Sequence, residues 1–116
     1  MGKTNYHAGM AAEAAIVDRY GICGHIVLAE RWRGRSGELD LVFRKDREIV
    51  FVEVKKSRDF ATAARHLAPR QLRRIRAAGA EFLAGEPAGQ DTECRFDVAL
   101  VDAAGRIEVI ENAVGT

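Results

Sequence analysis

Cysteine is scarce: Cys23 and Cys94 are the only two, far apart and not arranged as a CxxC pair. A disulfide framework is not expected from two lone thiols in a reducing compartment. His7, His25 and His66 are scattered without the spacing of zinc ligands. No glycine-rich loop follows a strand and opens a helix, so a phosphate-binding loop is not expected. No apolar run approaches the roughly 18 residues that span a bilayer. Residues Met1–Gly9 lack the apolar core of a secretory signal, so the expected address is the cytoplasm, without a membrane. Net charge is also lacking, at +1, and no aromatic-studded strand offers a stacking platform for bases.

What is present is an ordinary globular composition. The 116 residues are 47% hydrophobic and 30% charged, enough for a single domain, 1–116, with its own core. The neutral total hides a partition. Residues 55–76 carry eight basic side chains (Lys55, Lys56, Arg58, Arg65, Arg70, Arg73, Arg74, Arg76) against Asp59 alone, whereas residues 77–116 carry two against eight acids. A basic middle beside an acidic tail could track a phosphate backbone; it reads equally as a solvated face with partly paired charges.

Coarse patterning gives the order of elements. Residues 8–20 read as an Ala-rich helix closed by Gly21 and Gly24. Residues 25–32 read as a strand ending at a packed Trp32, and Gly34–Gly37 as a turn. Residues 38–43 and 48–55 are strands rich in Val, Ile and Phe, forming a hairpin about the polar 44–47. Residues 59–68 are expected to be a mobile loop. Pro69 suits the first turn of a helix in which Leu72, Ile75, Gly79, Phe82 and Leu83 recur at helical spacing up to Gly85. Residues 94–102 alternate Phe96, Val98 and Leu100, and Gly105 leads into a last strand, 106–111. The class is α/β, a mixed β-sheet flanked by helices.

Strand alternation brings chemistry together. With Leu39, Leu41 and Phe43 on one face, Glu38, Asp40 and Val42 share the other, as do Ile49, Phe51, Glu53 and Lys55 on the next strand. A two-residue turn at Asp46-Arg47 sets Lys45 opposite Glu48, Val42 opposite Phe51 and Asp40 opposite Glu53; another even-numbered turn keeps the faces and shifts the partners. Opposed carboxylates roughly 5 Å apart at Cβ repel unless a cation lies between them. Mg²⁺ or Mn²⁺ fits, because such a cation takes one or two carboxylates together with phosphate oxygens. Lys55, on the same face, could orient a water or offset phosphoryl charge. Glu13 lies on the stripe of Ile16, Val17 and Tyr20, and reads as a metal or water ligand or as one half of a salt bridge. Gln71 lies on the stripe of Ile75, Ala78 and Phe82, and reads as a donor to water or phosphate or as an ordinary polar residue of a first turn.

Taken together, Ala12-Glu13, Gly37-Glu38-Leu39-Asp40-Leu41, Val50-Phe51-Val52-Glu53-Val54-Lys55, Pro69-Arg70-Gln71 and Arg95-Phe96-Asp97-Val98 resemble the YraN-like bacterial proteins, from about Gly9 to Ala113. Those proteins are assigned to the restriction-endonuclease-like PD-(D/E)XK superfamily. The resemblance implies an αβββαβ core with Asp40 and Glu53-x-Lys55 as the active-site signature. It also implies that Glu13 and Gln71 match the glutamate and glutamine of Holliday-junction-resolvase-like enzymes, and that a homodimer forms. The basic residues usual beside the signature are represented by Lys56 and Arg58 around Ser57, and the aromatic often found after Asn112-Ala113 is missing. On this basis Asp40, Glu53, Lys55, Glu13 and Gln71 are the expected catalytic set, with Asp40, Glu53 and Glu13 on the metal. Lys56, Arg58, Arg70, Arg73 and Arg74 are expected on DNA. The expected activity is a metal-dependent endonuclease hydrolysing phosphodiesters of branched or single-stranded DNA. The competing readings are a nucleic-acid-binding module without turnover and a protein-interaction domain using the acidic C-terminal region.

Overall fold

The axis of the molecule is β3 (Glu48–Lys56), whose run Ile49–Val52 is buried on both faces. The computed structural model describes residues 2–113, with side chains from residue 11 onward. His7 and the Val114-Gly115 segment after Asn112-Ala113 therefore lie outside the described side chains and residues. β2 (Glu38–Lys45) pairs antiparallel with one edge of β3 and β4 (Cys94–Val101) pairs parallel with the other. β1 (Ile26–Arg33) flanks β2 and β5 (Ile107–Ile110) flanks β4, both antiparallel, giving the order β1-β2-β3-β4-β5. The sheet is mixed, and the elements follow the expected αβββαβ order.

α1 (Gly2–Ile22) begins earlier than its apolar periodicity indicates. It lays Ala12, Ile16 and Tyr20 on Leu41, Phe43, Val50 and Val52, and Tyr20 stacks on Phe43 with ring centroids 4.5 Å apart. On the opposite face, α3 (Pro69–Leu83) buries Ile75, Ala78 and Leu83 against Val42, Ile49, Phe51 and Phe96. Each large side chain hidden in these layers contributes about 1.5–3 kcal/mol. Residues 59–68, expected as a mobile loop, instead contain α2 (Phe60–Arg65). Six residues are too few to show a period, but Asp59 caps the helix by accepting from the Thr62 amide at 2.7 Å, and Ala63 packs on Val98 and Leu100.

α3 approaches the sheet at Gly79. A methyl group there would come within 2.7 Å of the Phe96 ring and 3.3 Å of Phe51, and those two rings are stacked at 4.8 Å. Helix propensity alone predicts that Gly79→Ala stabilises by about 1 kcal/mol. Overpacking against two locked rings costs roughly 1–3 kcal/mol, so the variant is expected to melt below the wild type, as thermal denaturation followed by circular dichroism would read.

The expected faces hold along most of the hairpin and fail at one point. The β2–β3 register is the expected one, with Lys45 opposite Glu48 and Val42 opposite Phe51. Leu39, however, packs with the α3 core while Leu41 and Phe43 pack with the α1 core. The alternation therefore breaks at Asp40. The neighbouring strand breaks in step: Glu30 pairs with Leu41 and Trp32 with Leu39, and between them Arg31 has φ +53°, a left-handed backbone uncommon outside glycine. The cause lies at the tip of the β1–β2 ribbon. Glu81 of α3 accepts the Arg35 and Ser36 amides, both at 2.7 Å, and the Arg74 guanidinium reaches the Glu38 carbonyl at 3.5 Å. α3 thus draws the tip, with Trp32 and Leu39, onto its own side. Trp32 meets Phe82 edge-on at 5.4 Å.

Candidate active site

The bend opens the sheet. Ladder pairing between β2 and β3 stops at Leu41 opposite Val52, which would leave the next β3 amide facing that gap, Val54, without a partner. Asp40 supplies one: its Oδ2 accepts the Val54 N–H at 2.8 Å. Asp40 thereby sits in the gap between the strands. It does not stand on a single face, as regular alternation would have it. Its carboxylate still meets that of Glu53, which approaches from the α3 side. Burial, and then the adjacent Glu53 charge, raise the Asp40 pKa to about 7 against the pull of the Val54 amide, and Glu13 adds to the rise.

Glu53 is 5% exposed. Its Oε2 accepts from Gln71 Nε2 at 2.8 Å and lies 3.3 Å from Lys55 Nζ. Its Oε1 is buried with no hydrogen-bond partner among the described residues. A buried carboxylate oxygen beside a second carboxylate is costly unless a cation, or a proton shared with Asp40, reaches it. The donor set, hard oxygens beside an ammonium, fits Mg²⁺ or Mn²⁺.

Of the expected set, Asp40, Glu53, Lys55 and Gln71 converge. Glu13 stands beside them, paired with another residue. It lines a small cavity of about 150 Å³ with Ala12, Asp40, Val54 and Lys56, but its carboxylate is held by Arg31, through Nε at 3.2 and 3.3 Å and Nη2 at 3.1 Å. The reason is the left-handed turn at Arg31, which sends that side chain across to α1. Among the described residues no group of three or more His, Cys, Asp or Glu side chains is placed to hold a metal ion.

Of the basic residues, Lys56, Arg70 and Arg73 are exposed, and Arg58 is exposed and pairs with Asp59 at 3.5 Å. Arg74 is half-buried and packed over Gly37, whose missing side chain leaves it room, and it reaches the Glu38 carbonyl at the ribbon tip.

Sequence reasoning missed two groups. Arg31 carried no signal, since an arginine in a strand gives no hint of a left-handed backbone. Asp97 was read only as part of a resemblance. It is 1% exposed and accepts from Tyr20 Oη at 2.7 Å, Arg95 Nε at 3.0 Å and the Asn112 amide at 2.9 Å. A larger cavity, about 760 Å³, lies elsewhere, lined by Arg19, His25, Lys45, Glu48 and Arg95 among others. There Arg95 pairs with Glu48 at 3.1 Å and Asp97 at 3.0 Å, so its charges are matched within the lining and its neighbours.

Fold and site together define an α/β domain with paired acids at a gap in a mixed sheet. Residues 12–101 match the model of a family described as Uncharacterised protein family UPF0102. The chain is 57% identical to a UPF0102 protein of Cereibacter sphaeroides strain KD131, over 97% of this chain and 96% of that one. It is 56% identical to one from Ruegeria pomeroyi, over 98% and 93% respectively. A more distant relative in Ruegeria sp. strain TM1040 is 42% identical over 98% and 92%. The chain belongs to the UPF0102 family. No helix among the described residues is long and apolar enough to cross a membrane.

Proposed function

We propose that the chain is a cytoplasmic, Mg²⁺- or Mn²⁺-dependent endonuclease of the restriction-endonuclease-like PD-(D/E)XK type, a hydrolase of DNA phosphodiester bonds in branched or single-stranded substrates. One observation carries the reading: the buried, unmatched Oε1 of Glu53 set against Asp40, with Lys55 and Gln71 already fixed on the other oxygen. Asp40 and Glu53 would hold the ion, which polarises the phosphate and lowers the pKa of a water. Gln71 fixes the rotamer of Glu53. Lys55 sits where it can orient the attacking water or offset charge developing on the phosphoryl group. Lys56, Arg70 and Arg73, all exposed, would follow the phosphate backbone. A homodimer accords with the resolvase resemblance, and Ile22 and Ile26, 87% and 60% exposed, offer apolar surface for it.

The test is a cleavage panel of labelled linear, flap and four-way-junction DNA with Mg²⁺ or Mn²⁺. Wild type is expected to cut at least one substrate, and Glu53→Ala to lose roughly 10³-fold, the scale lost when a preorganised group serving transition-state charge is deleted. A cleavage rate unchanged in Glu53→Ala would end the proposal. The pairing of Glu13 with Arg31 favours a second reading, a nucleic-acid-binding module without turnover. That reading requires binding that survives Glu53→Ala and falls steeply with salt.

A further inference from the structure

Arg31 sits in a conformation that needs a reason. In a regular strand it would follow Glu30 onto the opposite face, away from α1. Its backbone, at φ +53°, turns the guanidinium back across the sheet to grip Glu13 on α1 with two nitrogens. Strained backbone of this kind persists where the surroundings impose it, and it concentrates at working sites. The carboxylate it reaches lines the same cavity as Asp40 and acts electrostatically on it. Glu13 is the better buried partner, its side chain 14% exposed against 40% for Arg31.

We infer that Arg31 is a built-in counter-ion of the site: it holds Glu13 in reserve, and a divalent cation binds in full only by taking Glu13 from it. This rests on the metal-dependent reading above. Arg31 is a positioning residue here, since it acts on the cation through Glu13. Removing the guanidinium leaves Glu13 free to turn toward Asp40, so the cation should bind more tightly without it.

The experiment is a Mn²⁺ titration of the full chain, read by loss of the free-ion electron paramagnetic resonance signal, on wild type, Arg31→Gly, Glu13→Gln and the double variant. Glycine tolerates the left-handed backbone, so Arg31→Gly deletes the side chain without adding strain. Arg31→Asn, which also accepts that conformation, repeats the measurement if the glycine variant folds poorly. Arg31→Gly is expected to tighten Mn²⁺ binding by up to about fivefold, the worth of a partly exposed ion pair, and the gain is expected to vanish in the Glu13→Gln background. The same gain in both backgrounds would mean that Arg31 acts only through its charge, and would overturn the inference. So would unchanged or weaker binding by Arg31→Gly. If the wild type binds no Mn²⁺ at all, the metal-dependent reading itself fails, and this inference with it.

Discussion

Asp40→Asn is expected to melt above the wild type in EDTA at pH 8, and to lose both cleavage and the response of its melting temperature to Mg²⁺. The sign follows from the pKa of Asp40, raised from an ordinary 3.8 to about 7 by burial and by the carboxylate of Glu53. A carboxyl so raised favours the folded state when protonated. Its contribution is complete below about pH 4 and is lost as pH climbs through 7. Above that, in the absence of a cation, two adjacent charges oppose folding. Asparagine keeps the acceptor for the Val54 amide and offers Glu53 an N–H where Asp40 offers a charge. The gain at pH 8 is on the order of 2–4 kcal/mol and fades near pH 4. Melting curves from pH 4 to 9, with EDTA and with Mg²⁺, read it directly. Asp40→Asn melting at or below the wild type at pH 8 in EDTA would show that the two carboxylates do not repel in the folded chain. Under the proposed function the stabilising substitution would also be the inactivating one, as expected where a site stores repulsion for a cation to relieve.

The largest loss of stability is expected at the other face of the sheet. Asp97→Ala removes the acceptor shared by the Tyr20 hydroxyl, the Arg95 guanidinium and the Asn112 amide. Arg95 also reaches Glu48 of β3 at 3.1 Å, so this carboxylate ties α1, β3, β4 and the turn after β5 into one polar knot. Breaking a buried pair by deleting one partner costs about 3–5 kcal/mol, or at least roughly 10 °C in melting temperature for a domain of this size. Asp97→Asn keeps one acceptor and should fall between. Equilibrium urea denaturation gives the number, and a loss under about 1 kcal/mol would mean that the network is not cooperative. The Tyr20 phenol is held protonated well beyond its usual range, by burial and then by its bond to Asp97. The knot therefore does not loosen through tyrosine ionisation at neutral pH.

How far the sequence foretold this arrangement depends on the range of the cause. Asp40, Glu53 and Lys55 were legible because a two-residue turn and strand alternation are local rules, and the hairpin obeys them from Lys45–Glu48 to Leu41–Val52. Gln71 was legible because helical spacing put it beside Ile75. The break at Asp40 was not, because its causes are distant: Glu81 and Arg74 on α3 gripping the ribbon tip, and a left-handed arginine that no residue type announces. The same distant contact turned Arg74 inward, and Gly37 was its one local sign. Glu13 stood where the helical stripe put it, and the stripe could not show that a β1 side chain would reach it first.

The placement of β3 bears on how the chain acquires its shape. β1, β2 and β3 follow one another closely and can pair as they are made, whereas β4 arrives only after α2 and α3, so one side of β3 stays open while the chain is incomplete. Its core, Ile49-Val50-Phe51-Val52, is the kind of segment that nucleates fibrils when exposed. It is bracketed by Glu48 and Glu53, with Lys55 and Lys56 behind, the charged neighbours that discourage such growth. Glu53 and Lys55 would then do an earlier service than any reaction, keeping the nascent strand from joining another chain before its own partner is synthesised.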